Sequence, residues 1–515
     1  MKIIFRVDAS VQMGTGHVMR CLTLADSLRG AGAGVFFICR ELPGHLCDFI
    51  DQKGYNVYRL PYRETDTFAI QEGTKHAKLL GVSMEADAEA TESLLKRDQG
   101  IQWLIVDHYG IDKRWEARQR PYIKKIMVID DLADRQHDCD VLLDQNYYEQ
   151  SETRYDDLVP DHCKKLLGPK YVLLRPEFSE ARKNLRNRDG IIRRILVFFG
   201  GADPENVTKK ALEAVHLLNR PDIAVDVVVG SSNPHKENVK LLCVSMPNTH
   251  YYCQVENMAK MMFQADLCIG AGGSSVWERC SVALPSLVIA IAENQIQMIE
   301  IMAKDAFLLY GGWYKNVTVR HLNEDLQFLL RHRELLSWFS VRSQTLVDGN
   351  GTSRVQRLLQ HDSESLQFRR IAPTDSKRVY EWRNHPEVRK YSFNSSFLEW
   401  EEHKRWFEKQ LQSNDTIMLM AVIKNTPIGV LRYDFNIRHA KVSMYLDQSQ
   451  IGIGIGANVL RQGNKWLKET YPEIESVNAE IMAENAASIK TFERAGFKKK
   501  HTTYSYSFWE DLVTF

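Results

Sequence analysis

The stretch KIIFRVDASVQMGTGHVMRCLTLADSLRGAGAGVFFICR (2–40) decides the fold class of this chain. Short apolar runs stand at both ends, at 2–7 and 34–40, and each is typical of a buried strand. Between them the apolar residues of 18–28 follow the spacing of one helix face, and glycines end that segment. A strand, a helix and a second strand predict a right-handed βαβ unit in a parallel sheet.

The same pattern recurs further along the chain and then starts again after residue 166. We expect an α/β fold of two doubly wound Rossmann-like domains, at 1–163 and 164–355, with a cleft between them. Asp203 is expected to cap a helix that begins at Pro204. The strand-like runs that support the two domains lie at 103–108, 126–131, 140–145, 193–199, 223–230, 265–271 and 284–291.

The C-terminal segment, 366–515, has a different pattern. A strand and a polar helix are followed by a hairpin whose turn we place at Asn425-Thr426-Pro427. A glycine turn then leads into a helix near 456, and a last strand and helix follow at 476–500. This order predicts a separate α+β domain.

Composition limits the classes of function. The chain has 515 residues, 44% hydrophobic and 26% charged, with a net charge of +1. That balance gives no electrostatic footprint for nucleic acid or an anionic membrane. The nine cysteines include no Cys-x-x-Cys pair. We therefore expect a cytoplasmic protein with reduced thiols and small-molecule partners, and the oligomeric state stays open.

The turn Gly14-Thr15-Gly16 does not fit either standard phosphate motif. No Gly-Lys-Ser/Thr follows it, and Met19 stands where a dinucleotide fingerprint has its third glycine. A glycine turn at a helix N-terminus can still bind an anion. His17 lies in that first helical turn, where it could serve as a general base or simply cap and pack. The residues alone leave these alternatives open.

Five motifs together resemble the UDP-sugar hydrolases of the pseudaminic acid pathway, which are similar to GT-B glycosyltransferases. The resemblance covers roughly residues 1–355. The motifs are FRVDASVQMGTGHVMRCLTLA (5–25), VDHYGID (106–112), IDDLADRQHDCDVLLDQN (129–146), FFGGADPENVT (198–208) and GAGGSSVWERCSVALPSLVIAIAENQ (270–295).

The resemblance implies roles for residues of both domains. His17 would activate water for attack at the anomeric carbon, with inversion and release of UDP. The sugar side of the same site would be formed by Asp8, Thr15, Gly16, Asp107, His108 and Tyr109, of which the last three could instead cap a strand end. The UDP side would be formed by Gly200, Gly201, Asn257, Gly272, Gly273, Ser274, Ser275, Glu278, Asn294 and Gln295, with Glu278 on the ribose and Asn257 near the uracil.

The run DDLADRQHDCD (130–140) offers candidate metal ligands. Its spacing fits no standard zinc or two-metal pattern, and the family's chemistry resembles metal-free hydrolysis. We therefore expect no metal.

Residues 366–515 resemble the GNAT-type N-acetyltransferases. The resemblance implies acetyl-CoA as acetyl donor, with its pyrophosphate held by Gly452, Gly454 and Gly456 at a helix N-terminus. Asn485 and Ser488 would contact the pantetheine arm, and Glu480 is either the base for the amine or a surface carboxylate. Phe492 stands where the family often has a tyrosine acid. Either another group such as Tyr504, Tyr506 or water serves instead, or the thiolate leaves unaided, or activity is impaired.

The two resemblances predict a bifunctional enzyme. Acetylation of a UDP-4-amino-sugar would precede hydrolysis of UDP-2,4-diacetamido-2,4,6-trideoxy-β-L-altropyranose to free sugar and UDP. Two alternatives stay open: a GT-B glycosyltransferase or related nonulosonic acid enzyme fused to an acetyltransferase, and a sensor of nucleotide sugar or acetyl-CoA with degenerate sites.

Overall fold

The computed structural model describes residues 1–64, 76–360, 366–423, 425–452 and 454–499. The chain forms two compact units, Met1–Gln356 and Arg357–Phe515. Within the described ranges, no helix is both long enough and apolar enough to cross a membrane.

The first unit opens with a seven-stranded sheet in which all neighbouring strands are parallel. Its strands are β1 (Lys2–Val7), β2 (Gly34–Arg40), β3 (Asn56–Leu60), β4 (Ile101–Asp107), β5 (Lys125–Ile129), β6 (Val141–Asp144) and β7 (Lys164–Leu167), in the order β3-β2-β1-β4-β5-β6-β7. Its helices are α1 (Gly16–Gly30), α2 (Cys47–Gln52), α3 (Met84–Arg97) and α4 (Lys113–Gln119).

A second parallel sheet follows in the same unit. Its strands are β8 (Arg194–Phe198), β9 (Ala224–Val229), β10 (Thr249–Cys253), β11 (Leu267–Ala271), β12 (Ser286–Ala290) and β13 (Leu309–Trp313), in the order β10-β9-β8-β11-β12-β13. The accompanying helices are α5 (Pro176–Arg182), α6 (Val207–His216), α7 (Lys236–Ser245), α8 (Met258–Gln264), α9 (Ser275–Ser281), α10 (Glu293–Lys304), α11 (Val319–Arg331), α12 (Arg333–Leu346) and α13 (Gly351–Gln360).

Both sheets reverse their strand order at one point, and those points locate the candidate site. In the first sheet the chain runs outward from β1 to β3 and then returns to place β4 on the other side of β1. The second sheet does the same around β8 and β11. Ligands of open α/β sheets bind beyond the carboxyl ends of the strands at such a switch point.

The second unit is built on an antiparallel sheet with one parallel pair. Its strands are β14 (Leu366–Arg370), β15 (Thr416–Ile423), β16 (Thr426–Asn436), β17 (His439–Leu446) and β18 (Ser476–Asn478), paired in chain order, with β18 parallel to β17. Its helices are α14 (Ser376–Asn384), α15 (Pro386–Arg389), α16 (Trp400–Leu411), α17 (Gly456–Thr470) and α18 (Ala486–Arg494).

The predicted fold class, two doubly wound sheets followed by an α+β domain, is confirmed. Three local features differ from expectation. Strand β7 belongs to the first sheet although it follows residue 163. Helix α6 begins at Val207 rather than Pro204, yet the Asp203 carboxylate still caps it by accepting bonds from the amides of Val207 and Thr208. Pro427 lies within β16 and pairs with Val422, so the hairpin turn is shorter than predicted.

Candidate active site

His17 and Asp107 form a hydrogen-bonded pair at the first switch point. Gly14, with φ of +74°, makes the turn after β1 possible, and α1 then begins at Gly16. Asp107 is the last residue of β4, the neighbour of β1. Nδ1 of His17 lies 2.6 Å from Oδ1 of Asp107. Because a carboxylate only accepts hydrogen bonds, Nδ1 carries the proton and Nε2 is the basic nitrogen.

Asp107 is ionised although it is fully buried. Burial by itself would favour the neutral acid, but the Arg20 guanidinium and His17 outweigh it and hold the pKa of Asp107 well below its usual range. Arg20 donates from Nε to Oδ2 and from Nη2 to Oδ1, each over 2.6 Å. This bidentate contact fixes the carboxylate and, through it, the plane of the imidazole.

Tyr109 connects this pair to the second domain of the unit. Its ring lies edge-on to His17, with the centroids 4.6 Å apart. Its hydroxyl donates to Oδ1 of Asp131 over 2.8 Å and accepts from Nδ2 of Asn294 over 3.4 Å. Burial first, and then the Asp131 charge, raises the pKa of Tyr109 well above its ordinary value, so the hydroxyl keeps its proton. Asn294 lies in the first turn of α10, so this contact crosses the cleft.

A cleft with an empty volume of about 600 Å³ lies between the two sheets. Polar groups from both sides line it, together with two methionines. The lining residues are Met13, Gly16, His17, Arg20, Tyr109, Asp131, Gln145, Asn146, Gly272, Gly273, Ser274, Asn294, Gln295 and Met298.

The glycine turn after β11 faces His17 across this cleft. Gly272 is required by packing, because a Cβ there would lie 1.9 Å from Cδ1 of Ile299 on α10. At Gly273 a Cβ would meet its nearest atom, Nε2 of Gln295, at 3.6 Å. Gln295 in turn accepts from the amide of Ile291 over 3.0 Å and so holds the loop after β12. The turn therefore exposes backbone to the cleft while α10 closes against it.

Glu278 lies one turn into α9 and is engaged by a basic residue. Oε1 of Glu278 accepts from Nη2 of Arg175 over 3.1 Å. Burial raises the pKa of the Glu278 carboxyl, and Arg175 opposes that rise. An ionised Glu278 carboxylate can only accept hydrogen bonds, and Arg175 holds one of its two oxygens.

Four residues predicted to bind the nucleotide make contacts within their own domain. Ser275 accepts from Nη1 of Arg279 over 3.1 Å. Asn257 caps α8 by accepting from the amide of Lys260 over 2.9 Å. Gly200 and Gly201 follow β8, and a Cβ on Gly230 would lie 2.2 Å from the Gly201 carbonyl oxygen.

Asp8 and His108 differ from the expectation that they contact the sugar. Both are buried, at 0% and 2% exposure. Asp8 accepts from Nη1 of Arg6 over 2.7 Å and from the amide of Arg40 over 2.6 Å. Arg6 lies on β1 and Asp8 directly follows that strand, and the buried Arg6 guanidinium requires the Asp8 carboxylate as a counter-ion. Arg6 and Asp8 therefore stabilise the sheet beneath the site. Thr15, another residue predicted for the sugar side, directly precedes α1.

Arg20, Asp131, Gln145 and Asn146 were missed as site residues by sequence reasoning. Arg20 follows His17 by one helical turn, which is a signal that both share a face of α1. Asp131 and Asn146 each follow the end of a first-domain strand by two residues. The carboxyl ends of β5 and β6 were therefore a usable signal for the cleft.

The acidic run 130–140 is used for internal ion pairs. Asp131 contacts Arg20 and Tyr109, Asp130 pairs with Arg135, and His137 pairs with Glu116 over 2.7 Å. Among the residues that the structure describes, no group of three histidine, cysteine or acidic side chains could hold a metal ion.

In the second unit the glycines of the predicted cofactor loop differ in their roles. Gly452 and Gly454 have φ of +85° and +73°, a region that other residues rarely adopt. They form the turn that ends where α17 begins. At Gly456 a Cβ would lie 2.9 Å from Cγ2 of Thr491, so this glycine lets α17 pack against α18. Strands β17 and β18 pair only over His439–Lys441.

The remaining acetyltransferase candidates lie near the start and core of α18. Asn485 caps that helix, its Oδ1 accepting from the amide of Ser488 over 3.0 Å. Glu480 is exposed and pairs with Lys441. Phe492 is 7% exposed and packs in the core against Phe497. Tyr504 and Tyr506 lie outside the described residues.

Fold and site together define a unit of two doubly wound domains with a polar cleft between their sheets, followed by an α+β domain. Two family models match the chain: the glycosyltransferase family 28 C-terminal domain over residues 194–304, and the acetyltransferase (GNAT) domain over residues 365–498.

Curated relatives agree with this division. The chain is 29% identical over 313 residues to UDP-2,4-diacetamido-2,4,6-trideoxy-beta-L-altropyranose hydrolase of Campylobacter jejuni, covering 60% of this chain and 98% of that protein. It is 26% identical over 373 residues to the spore coat polysaccharide biosynthesis protein SpsG of Bacillus subtilis, covering 68% and 96%. An uncharacterized protein, MJ1062 of Methanocaldococcus jannaschii, is 25% identical over 516 residues, covering 97% of both chains.

These similarities confirm the resemblance found in the sequence. The chain is a fusion of a GT-B-like region homologous to a UDP-sugar hydrolase with a GNAT acetyltransferase domain.

Proposed function

We propose that the first unit hydrolyses UDP-2,4-diacetamido-2,4,6-trideoxy-β-L-altropyranose to free sugar and UDP, with His17 as general base. The observation that carries the proposal is the His17–Asp107 pair, 2.6 Å long, in a cleft opposite a glycine turn. A base oriented by a buried carboxylate is the arrangement that activates a weak nucleophile.

In this mechanism Nε2 of His17 accepts a proton from water as the water oxygen bonds to the anomeric carbon. The bond between that carbon and the β-phosphate oxygen breaks, and UDP leaves with the electron pair. Asp107 stabilises the imidazolium that forms. Attack opposite to the leaving group inverts the anomeric configuration.

The nucleotide would bind on the second sheet. Backbone amides at Gly272 and Gly273, with the Ser274 hydroxyl, would hold the diphosphate, and Glu278 would accept from the ribose hydroxyls. Gly200, Gly201, Ser275 and Asn257 would support this side by shaping its loops, and Gln295 lines the cleft itself. On the sugar side Tyr109, Asp131 and Asn294 would contact the acetamido groups.

We further propose that the GNAT domain acetylates the 4-amino group of the UDP-sugar before hydrolysis. The neutral amine nitrogen would attack the thioester carbonyl of acetyl-CoA as the carbon–sulfur bond breaks, giving an amide and free CoA thiol, with the proton lost by the amine balancing the one gained by the thiolate. The positive φ angles at Gly452 and Gly454 form a backbone turn of a kind that suits a pyrophosphate. Asn485 and Ser488 at the start of α18 would contact the pantetheine arm.

Two residues limit the acid–base assignment in this domain. Glu480 would have to leave its exposed ion pair with Lys441 to accept the proton of the amine. Phe492 has no proton to donate to the thiolate, and its place in the core keeps it away from solvent. The thiolate would therefore leave unaided or with a proton from water.

The test follows both products separately. The full chain is incubated with acetyl-CoA and the 4-amino UDP-sugar while free thiol and UDP are measured. We expect thiol release first and UDP release after it, and UDP alone from the pre-acetylated sugar. Thiol release without UDP from either substrate would refute the hydrolase proposal.

A further inference from the structure

Arg20 directs its guanidinium nitrogens at two carboxylates. Nε and Nη2 donate to the two oxygens of Asp107 over 2.6 Å each, and Nη1 donates to Oδ2 of Asp131 over 3.2 Å. The side chain is 9% exposed and lies one helical turn after His17 on α1. A long cation held this way is built into the site and is not a mobile surface group.

The charge of Asp107 creates a difficulty for a base. A buried carboxylate 2.6 Å from an imidazole favours the imidazolium, which can accept no further proton. Arg20 offsets that charge. Its Nη2 also lies 3.2 Å from Nδ1 of His17, so the guanidinium repels a positive charge on the imidazole. The two effects act in the same direction and favour neutral imidazole.

The other groups near the imidazole do not duplicate this effect. Asp131 adds a negative charge, which Arg20 and the Tyr109 hydroxyl both contact. Cys21 donates its thiol to Oδ2 of Asp107 over 3.4 Å, and burial raises the pKa of that thiol, so it carries no charge. His76 lies beyond Tyr109, with the two ring centroids 5.8 Å apart. Arg20 is thus the cation that contacts Asp107 within the described residues.

We propose that Arg20 is a positioning residue that offsets the charge of Asp107 and thereby keeps His17 in its proton-accepting form at neutral pH. This inference rests on the proposed hydrolysis for its purpose, and its physical content can be tested without it. It differs from the contact of an arginine with a substrate phosphate, because the guanidinium is already committed to carboxylates on the sugar side of the cleft.

The experiment compares wild type, Arg20→Gln and the double variant Arg20→Gln/Asp107→Asn as full chains. The protonation midpoint of His17 is followed by NMR of histidine-labelled protein, with His17→Gln to assign the signal. Arg29→Gln is the matched control, since Arg29 lies on the same helix with an exposed side chain paired to Asp26. The pH dependence of UDP release is measured alongside.

We expect Arg20→Gln to raise the midpoint by about 1–3 pH units and to move the acidic limb of UDP release upward with it. The double variant should return the midpoint towards that of wild type, because both charges are gone, and Arg29→Gln should leave it unchanged. A midpoint unmoved in Arg20→Gln, or one that stays as high in the double variant as in Arg20→Gln, would overturn the proposal. If wild type releases no UDP, the proposed function fails while the NMR midpoints still decide the inference.

Discussion

His17 Nδ1 and Asp107 Oδ1 lie 2.6 Å apart although 90 residues separate them in the chain. The contact exists because β4 returns to pair beside β1, which brings the carboxyl ends of the two strands together. His17 follows β1 after a glycine turn, and Asp107 is the last residue of β4. The fold itself therefore brings His17 and Asp107 together.

Replacing Asp107 with asparagine should reduce kcat for UDP release by at least about 100-fold with little change in KM. The amide still fills the space, but it cannot stabilise the imidazolium and can present its NH2 group to Nδ1. Steady-state kinetics on the acetylated UDP-sugar measure the effect. Asp222→Asn, which alters an exposed pair with Arg220, is the control and should match wild type. A large rise in KM with normal kcat would contradict the positioning role.

Alanine at Gly272 and alanine at Gly273, both in the turn after β11, should differ in their effect on stability. At Gly272 the new Cβ would overlap Ile299, so we expect a loss of about 1–3 kcal/mol of stability and weaker UDP binding. At Gly273 the same change meets only ordinary contact distances, so stability should stay near wild type. Thermal unfolding and UDP calorimetry compare the pair. Equal stability of the two variants would show that α10 does not close against Gly272.

Asp144 predicts a pH-dependent stability. One Tyr155 hydroxyl lies 3.1 Å from Oδ2 of both Asp144 and Asp130, so its single proton cannot serve both. Burial, and then the Asp131 charge, raises the pKa of Asp144 to about 7. When the pH is below the pKa of this carboxyl in the unfolded chain, which is near 4, the raised pKa contributes its full stabilisation to the folded protein. That contribution is lost as the pH rises through 7.

Asp144→Asn mimics the protonated carboxyl and should abolish that loss. Relative to wild type, the variant should gain stability between pH 5 and pH 8, by about 3 kcal/mol. Chemical denaturation at the two pH values measures the difference. A constant difference between variant and wild type at both pH values would contradict a raised pKa at Asp144.

Valine at Gly454 should separate the two activities. The backbone there has φ of +73°, which a β-branched residue adopts only with strain, so the turn before α17 should change. We expect thiol release from acetyl-CoA to fall by at least about tenfold, because the pyrophosphate loses its turn. UDP release from the pre-acetylated sugar should stay normal. A parallel loss of both activities would argue that one site depends on the other.

The fold could be predicted where strands are continuously apolar and could not where they lie at a sheet edge. Residues 101–107 are buried almost throughout, and the sequence run there is correspondingly apolar. Strand β10 is THYYC, half exposed at the edge of its sheet, and it lacks both the apolar run and a clean alternation. Its pairing with β9 depends on tertiary context.

The site was predictable as a set of positions but not as a set of contacts. The glycine turn and His17 could be located because turn chemistry is local. Arg20 could not be assigned, since its partner Asp107 lies 87 residues away and the sequence of α1 shows only a polar residue. The ion pair of Asp8 with Arg6 could not be predicted either, because a carboxylate that follows a strand has the same appearance in sequence whether it binds a ligand or pairs within the core.

The central claim is that His17 activates water at the anomeric carbon. The most direct measurement is UDP release from the acetylated UDP-sugar in ¹⁸O-labelled water by wild type and His17→Gln, with thiol release from the acetylation reaction as internal control. We predict that wild type releases UDP without label, that His17→Gln loses at least about 1,000-fold in that rate, and that its thiol release stays normal. Label in the UDP, or UDP release undiminished in His17→Gln, would contradict the account.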